Sequence, residues 1–181
     1  MEVIKTDIEG LLVIHPDVFV DERGYFFESF NSRKFNEMGI NSEFVQDNIS
    51  KSIKGTLRGL QIQIGGKTQG KLCQVIYGKV LDVAVDVRTG SKTFGKHYSV
   101  ILSEENHTQL WIPKGLAHGF SVLSEEAIFS YKCTEHYDKE SERAILYNDS
   151  KLGIDWKIKE PVVSEKDLKA DSFDEFCRKY I

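Results

Sequence analysis

Hydrophobic and polar residues alternate most regularly between Val80 and Arg88. Two sets of alternate positions are occupied there, by Val83, Val85 and Val87 in one set and by Asp82, Ala84 and Asp86 in the other. Successive side chains of a strand point to opposite faces of its sheet. The pattern therefore predicts a strand with one apolar face and one face that carries two carboxylates.

Short apolar runs bounded by glycine or polar turns predict further strands along most of the chain. They lie at Glu2–Lys5, Leu11–His15, Val18–Val20, Tyr25–Phe30, Phe44–Asn48, Leu57–Ile64, Leu72–Tyr77, Tyr98–Leu102, Gln109–Ile112, Phe120–Leu123 and Ile128–Cys133. Turn signals at intervals of about eight to twelve residues are typical of an all-β sandwich or barrel, and not of alternating strands and helices.

Three segments have the capping residues and apolar spacing of helices. They are Ser32–Met38, Ser164–Lys169 and Ser172–Tyr180. The first is ended by Gly39, and the second opens with Ser164 followed three residues later by Asp167, which is a helix-capping pattern. We expect the last two to form a helical tail, at about residues 164–181, of a single domain that spans residues 1–181.

Composition narrows the choice of partners and compartment. The chain has 181 residues, a formal net charge of −4 and scattered basic residues, which argues against nucleic acid or a membrane surface as the main partner. A small phosphorylated ligand held by a few cations remains compatible with this charge. The three cysteines have no CxxC spacing, and no apolar run has the ~20 residues of a membrane span. We therefore expect a reduced, cytoplasmic protein.

Gly55, Gln61 and Gln63 form a G-x5-Q-x-Q pattern on one predicted strand. Metal-binding cupin barrels carry G-x5-H-x-H at the comparable strand, where residues two apart share a face. Amides are poor ligands for zinc, iron or manganese beside imidazole or carboxylate, so we expect no metal. The simplest alternative is that the two glutamines satisfy each other inside a barrel.

Several other side chains are candidates for a pocket. His118 follows a P-x-G-x-x-H turn, and Tyr131 and Tyr137 could donate a proton and stack on a planar ring. A second group shares the ability to bind phosphate and consists of Arg23, Arg58, Lys71 and Lys166. Each of these residues could also be an ordinary core or surface side chain. Strict alternation places Arg58 and Gln61 on opposite faces, so a shared pocket requires a twist, a bulge or a neighbouring subunit.

A set of motifs in a fixed order is more specific than any one residue. It comprises Asp21–Asn31 (DERGYFFESFN), Phe44–Asn48 (FVQDN), Leu57–Leu60 (LRGL), Gln69–Leu72 (QGKL), Asp82–Asp86 (DVAVD), Gln109–Phe120 (QLWIPKGLAHGF), Tyr131–Thr134 (YKCT), Asn148–Trp156 (NDSKLGIDW) and Ser164–Asp167 (SEKD). This set closely resembles the dTDP-4-dehydrorhamnose 3,5-epimerase family, over roughly residues 4 to 167.

The resemblance implies an all-β cupin or jelly-roll fold, a homodimer, and no metal or other cofactor. It also implies a dTDP-linked 4-keto-6-deoxy sugar as substrate, on the route to dTDP-L-rhamnose or a related deoxysugar. The family inverts C3 and C5, which flank the C4 ketone, by removing a proton and returning one to the opposite face.

The same resemblance implies roles for individual residues. Those expected to contact the nucleotide sugar are Arg23, Glu28, Gln46, Asp47, Asn48, Arg58, His118, Tyr137, Glu142 and Lys166. Lys71 is expected to stabilise the enolate, Tyr131 to donate a proton, and Asp167 to orient the general base. The base itself departs from the family, because Gln61 occupies the position of the catalytic histidine, and an amide does not accept a proton at neutral pH.

Three hypotheses follow. The chain is a nucleotide-sugar epimerase or close variant, a substrate-binding or inactivated homologue, or a metal-dependent cupin enzyme. Positioned acid–base groups contribute about 10²–10⁴-fold in rate, so the first hypothesis predicts slow epimerisation unless another group replaces the histidine.

Overall fold

A computed structural model describes residues 1–181 and contains fourteen strands and three α-helices. The strands are β1 (Glu2–Lys5), β2 (Leu12–His15), β3 (Val18–Asp21), β4 (Gly24–Phe27), β5 (Gln46–Ile53), β6 (Thr56–Gln63), β7 (Lys71–Tyr77), β8 (Lys79–Asp86), β9 (His97–Ser103), β10 (Gln109–Ile112), β11 (Leu116–Val122), β12 (Glu126–Cys133), β13 (Glu142–Ala144) and β14 (Val162–Val163). The helices are α1 (Ser32–Glu37), α2 (Glu165–Leu168) and α3 (Phe173–Tyr180).

The strands form two main sheets. Sheet one has the order β1-β2-β10-β7-β12-β5, and sheet two has the order β13-β6-β11-β8-β9, with β14 added parallel to β6. All other pairings are antiparallel, and β3 and β4 form a separate hairpin. This arrangement confirms the predicted all-β, cupin-type architecture.

The main core lies between the inner faces of the two sheets. Cys73 and Phe129 from sheet one pack with Val80, Ala84 and Phe120 from sheet two, all of them buried. Burial of one large apolar side chain contributes about 1.5–3 kcal/mol, so this shared core stabilises the pairing of the sheets. Consequently, polar side chains that face inward can survive only where they are paired or reach a cavity.

The C-terminal segment covers the outer face of sheet two. Val83, Val85 and Val87 project to that face, opposite Ala84, and pack with Phe173 and Phe176 of α3. The alternation predicted for β8 is therefore confirmed. Both of its faces are buried, since the second face carries Asp82 and Asp86 into the protein interior.

All three helices begin at a capping side chain, and the cap predicted at Ser164 is confirmed. The Asn31 side chain accepts hydrogen bonds at the start of α1, and Ser164 accepts one from the backbone N–H of Asp167 at the start of α2. Ser172 and Glu175 form a capping box on α3. No helix is both long and apolar enough to cross a membrane.

Strand β5 differs most from its predicted position. The apolar run Phe44–Asn48 suggested an early start, yet β5 begins at Gln46 and continues to Ile53 in full register with β12. β5 is an edge strand of sheet one and is half exposed, so its sequence is polar. For that reason the pattern of apolar residues did not predict its full length. Strand β11 likewise begins at Leu116, which places His118 inside a strand.

Candidate active site

A cavity of about 500 Å³ is lined by residues of both sheets. Seven of the residues selected from the sequence line it: Asn48, Arg58, Gln61, Lys71, His118, Tyr131 and Asp167. They come from β5, β6, β7, β11, β12 and α2, so the site depends on both sheets and on the C-terminal tail.

A β-bulge brings Arg58 and Gln61 to the same cavity. His118 pairs with Gln61 and Phe120 pairs with Arg58, so β6 contains one more residue than β11 over this interval. The bulge lies at Gly59, whose φ is 117°. A side chain at this position would place its Cβ only 2.5 Å from the Cα of Gly119. Only glycine fits there. Because the bulge adds one residue to β6, Arg58 and Gln61 face the same side, although strict alternation predicted opposite faces.

Gln61 is hydrogen-bonded to the carboxylate that was expected to orient a base. Its Nε2 donates to Asp167 Oδ1 at 3.0 Å, while Asp167 Oδ2 accepts from Ser164 Oγ at 3.0 Å. This leaves Gln61 Oε1 and the second hydrogen of Nε2 for contacts with a ligand. An amide oxygen can accept a hydrogen bond, but it does not remove a proton from carbon at neutral pH.

The two glutamines do not satisfy each other. Gln63 Nε2 donates to the carbonyl oxygens of Lys67 and His136, at 2.7 and 3.1 Å, and its Oε1 accepts from the backbone N–H of Asp138 at 2.8 Å. Gln63 therefore fastens two loops together, whereas Gln61 belongs to the cavity.

His118 is paired with a buried carboxylate. Its Nε2 lies 2.5 Å from Asp82 Oδ1, and neither side chain is more than slightly accessible. The ring of Phe129 stacks on the imidazole, and the Tyr131 ring meets it edge-on. Asp82 and His118 are thereby fixed in orientation by both a hydrogen bond and packing.

Cys73, Asp82 and His118 are the only cluster of potential metal ligands, with donor atoms within 4.8 Å of one another. The geometry does not suit an ion, because Asp82 and His118 are already joined by a direct hydrogen bond. A cysteine also binds metal as a thiolate, and burial raises the pKa of the Cys73 thiol well above its usual value. The cluster is better described as a carboxylate–imidazole pair beside a neutral thiol.

Lys71 and Tyr131 face the cavity from sheet one. The ammonium of Lys71 lies 5.6 Å from the centre of the Tyr131 ring. Burial is the main cause that raises the pKa of Tyr131 to about 12. At neutral pH Tyr131 is therefore a phenol with a proton to donate, next to a cation that can stabilise a developing oxyanion.

A smaller extension of the cavity, about 120 Å³, shares Gln61, Lys71 and Tyr131 with the larger one. Tyr137 and Glu142 line it, and Tyr137 Oη donates to Glu142 Oε2 at 2.9 Å. This hydrogen bond is the main cause that raises the pKa of Tyr137.

Two further predicted contacts attach to this extension. Lys166 forms an ion pair with Glu142. Gln46 accepts a hydrogen bond from the backbone N–H of Tyr137 at 2.8 Å and donates to Asn48 Oδ1 at 3.1 Å. Both residues are thereby joined to the walls of the site.

Three more of the predicted ligand contacts neither line the cavity or its extension nor bond to a residue that does. Asp47 points away from it and pairs with Lys132, as alternation along β5 requires. Arg23 lies at the exposed turn of the β3–β4 hairpin and binds Asp21, and Glu28 binds Lys34.

Sequence reasoning placed Asp82 on the right strand but did not identify its partner. The signal was its alternation with valines, which turned it inward, but the pairing with His118 depends on the register of β8 and β11. Ser164 was recognised only as a helix cap. Its hydroxyl also donates to Asp167 and so supports the site.

The fold and the cavity together define a cupin-type protein with a polar cavity between its two sheets. The sequence model of the family described as dTDP-4-dehydrorhamnose 3,5-epimerase matches residues 5–175. The dTDP-4-dehydrorhamnose 3,5-epimerase of Shigella flexneri is 53% identical over 174 residues, which cover 96% of each chain.

Two crystal structures have the same fold. The dTDP-4-dehydrorhamnose 3,5-epimerase of Elizabethkingia anophelis has a TM-score of 0.93 and 53% identity, and the match covers 97% of each chain. The dTDP-6-deoxy-D-glucose-3,5-epimerase of Legionella pneumophila, solved in complex with dTDP-4-keto-L-rhamnose, has a TM-score of 0.93 and 51% identity over 96% of this chain and 93% of its own. The chain belongs to the dTDP-4-dehydrorhamnose 3,5-epimerase family.

Proposed function

We propose that this protein is an isomerase that inverts C3, C5 or both in a dTDP-linked 4-keto-6-deoxy sugar, in the biosynthesis of dTDP-L-rhamnose or a related deoxysugar. The observation that carries the proposal is a cavity that brings Lys71, Tyr131 and Asp167 together around position 61 in a chain of this family. Nothing in the proposal requires a metal or another cofactor.

The chemistry follows from the C4 ketone. Protons on the two neighbouring carbons are acidic because the negative charge can move onto the ketone oxygen. We assign Lys71 to stabilise that oxyanion and Tyr131 to return a proton. Asp167 holds the side chain at position 61 toward the reacting carbon.

The remaining residues would bind the nucleotide sugar. Arg58 faces the cavity and suits a phosphate, because a guanidinium can grip two of its oxygens. Tyr137 is exposed and suits a planar base. The other contacts assigned here are Gln46, Asn48, His118, Glu142 and Lys166.

Arg23 and Glu28 fit the proposal best if the protein is a homodimer. The β3–β4 hairpin that carries Arg23 exposes four large apolar side chains, Phe19, Val20, Tyr25 and Phe26, by 54% or more. Exposed apolar surface of this kind usually marks an interaction site. We propose that the hairpin docks on a second copy and brings Arg23 and Glu28 to its cavity. A contact by Asp47 with the ligand remains a prediction.

A second candidate function is favoured by Gln61 itself. A protein with an intact binding surface and no base would hold the nucleotide sugar without converting it. Such a binding homologue would retain affinity for dTDP and would exchange no protons. For either function we propose the cytoplasm as the compartment, since Cys73, Cys133 and Cys177 are all free thiols.

Incubation with dTDP-4-dehydro-6-deoxy-D-glucose in D2O separates the two functions. The epimerase proposal expects deuterium at C3 or C5 above a protein-free control, with inversion detected by NMR. Binding of dTDP with no deuterium at either carbon would contradict it and leave the binding homologue.

A further inference from the structure

His118 is the histidine placed to act next to Gln61. Of the five histidines, it alone lines the cavity. His118 and Gln61 are directly paired across β11 and β6. Residues paired in this way project from the same face of a sheet, with Cβ atoms about 4.5–5.5 Å apart. The imidazole therefore flanks the position from which a family member removes its proton.

One nitrogen of the cavity-lining imidazole is hydrogen-bonded to Asp82, and the other is free. Nε2 is bonded to Asp82 Oδ1. Nδ1 has no hydrogen-bond partner in the protein and is not sealed from solvent. When Nε2–H donates to Asp82, a neutral ring keeps its lone pair on Nδ1. A proton acceptor is thus present in the cavity although position 61 is an amide.

The surroundings supply the other groups that proton abstraction needs. Asp82 is fully buried and can stabilise the imidazolium that forms when Nδ1 takes a proton. His118 lies on sheet two, on the same side as position 61, whereas Lys71 and Tyr131 lie on sheet one. A sugar bound in the cavity would meet the imidazole from one sheet and the phenol from the other.

We infer that His118, positioned by Asp82, is the catalytic base of this chain in place of the residue at position 61. The inference rests on the proposed function. The C–H bond next to the ketone breaks, its proton passes to His118 Nδ1, and its electron pair moves through the new C–C double bond to the ketone oxygen beside Lys71. Tyr131 then gives its hydroxyl proton to the opposite face of the carbon. The proton on His118 returns through solvent to the phenolate, which restores the enzyme.

Two His118 variants test the base. His118→Ala should reduce deuterium incorporation by the otherwise unaltered protein at least tenfold, toward the protein-free rate, because general bases contribute about 10²–10⁴-fold. Free imidazole should restore part of the rate in this variant, since the deletion leaves space for it. His118→Gln keeps an amide donor for Asp82 without a base and should show the same loss. Affinity for dTDP, measured by calorimetry, reports that each variant is folded.

Asp82 is a positioning residue, so its variant is assayed by kcat and KM separately, which distinguishes lost positioning of His118 from lost folding. Asp82→Asn should lower kcat for exchange about tenfold or more and leave KM and the dTDP affinity nearly unchanged. His97→Gln is the matched control, because His97 lies on β9 of the same sheet but does not line the cavity. It should exchange at the unaltered rate.

The Gln61→His variant separates failure of the inference from failure of the proposed function. Two results would overturn the role of His118 and leave the epimerase assignment standing. In the first, Gln61→His exchanges deuterium and the unaltered chain does not. In the second, Gln61→His exchanges deuterium, and His118→Ala and His118→Gln exchange it as fast as the unaltered chain. If neither the unaltered chain nor Gln61→His exchanges, the proposed function fails and the inference fails with it. Loss of exchange in both His118 variants with dTDP binding intact supports the inference.

Discussion

At the scale of single residues, the cavity combines charged and polar side chains with an amide, Gln61, at the position where the family resemblance implies a base. Gln61 keeps a hydrogen bond to Asp167, so the substitution preserves the link between β6 and α2 while removing basicity. The sequence alone predicted this loss, because the chemistry of an amide does not depend on its surroundings. It could not predict the hydrogen bond between His118 and Asp82, since that contact depends on the register of β8 and β11.

Tyr131 offers a way to separate proton removal from inversion. Tyr131→Phe deletes one hydroxyl and should keep the fold, since the ring still packs against Phe129. Net inversion should fall about 10²–10⁴-fold because the donor on the opposite face is gone, while deuterium exchange with retention continues. NMR of the product in D2O measures both. Tyr77→Phe, at an exposed position on β7, is the control, and equal loss of inversion in it would contradict the role of Tyr131.

At the scale of elements, the position of the site follows from where strands end and where β6 bulges. Alternation predicted β8 correctly because its two faces differ: the valines pack against α3, whereas the opposite face carries Asp82 and Asp86 with polar partners. Alternation failed between Arg58 and Gln61, because close approach of Gly59 and Gly119 inserts an extra residue in β6. It also missed most of β5, where the polar residues of an edge strand resemble a loop.

The end of β8 is stabilised by a buried carboxylate that takes no part in the cavity. Burial alone would raise the pKa of Asp86, but hydrogen bonds from Arg88, Ser91 and Thr93 outweigh it and hold that pKa well below its usual value. The stabilisation is therefore present above the unfolded-state pKa, near 3.9, and is lost as the pH falls toward the folded-state pKa.

Asp86→Asn should accordingly lower the free energy of unfolding by about 3 kcal/mol at pH 7, with a smaller loss below about pH 4. Urea unfolding at both pH values measures the two differences. Asp155→Asn is the control, because Asp155 forms an exposed pair with Lys157 and should change stability little. If Asp86→Asn lowers the free energy of unfolding by the same amount at both pH values, this account of Asp86 is contradicted.

At the scale of the whole molecule, the cavity is incomplete without the parts of the chain that lie outside the two sheets. The C-terminal tail contributes Asp167 and covers sheet two with α3. We propose that residues 1–181 therefore fold as one domain. The β3–β4 hairpin is the exception, since its apolar side chains and Arg23 lie exposed.

A mixing experiment tests whether the hairpin of one copy completes the site of another. Arg23→Ala and Tyr131→Phe should each be nearly inactive in inversion when purified alone. After joint unfolding and refolding, mixed dimers would contain one site with both native side chains, so about a quarter of the unaltered activity should return. No recovery, with dimers confirmed by sedimentation, would place Arg23 and Tyr131 in the same chain's site and contradict the proposed docking.

The most direct test of the account is the rate of deuterium exchange at C3 and C5 in the Gln61→His variant compared with the unaltered chain. The cavity side chains and Asp167 surround position 61, so a histidine there should raise the exchange rate about tenfold or more above the rate that His118 already supports, with little change in dTDP affinity. An exchange rate that does not rise, in a variant that still binds dTDP, would contradict the claim that position 61 faces the reacting carbon.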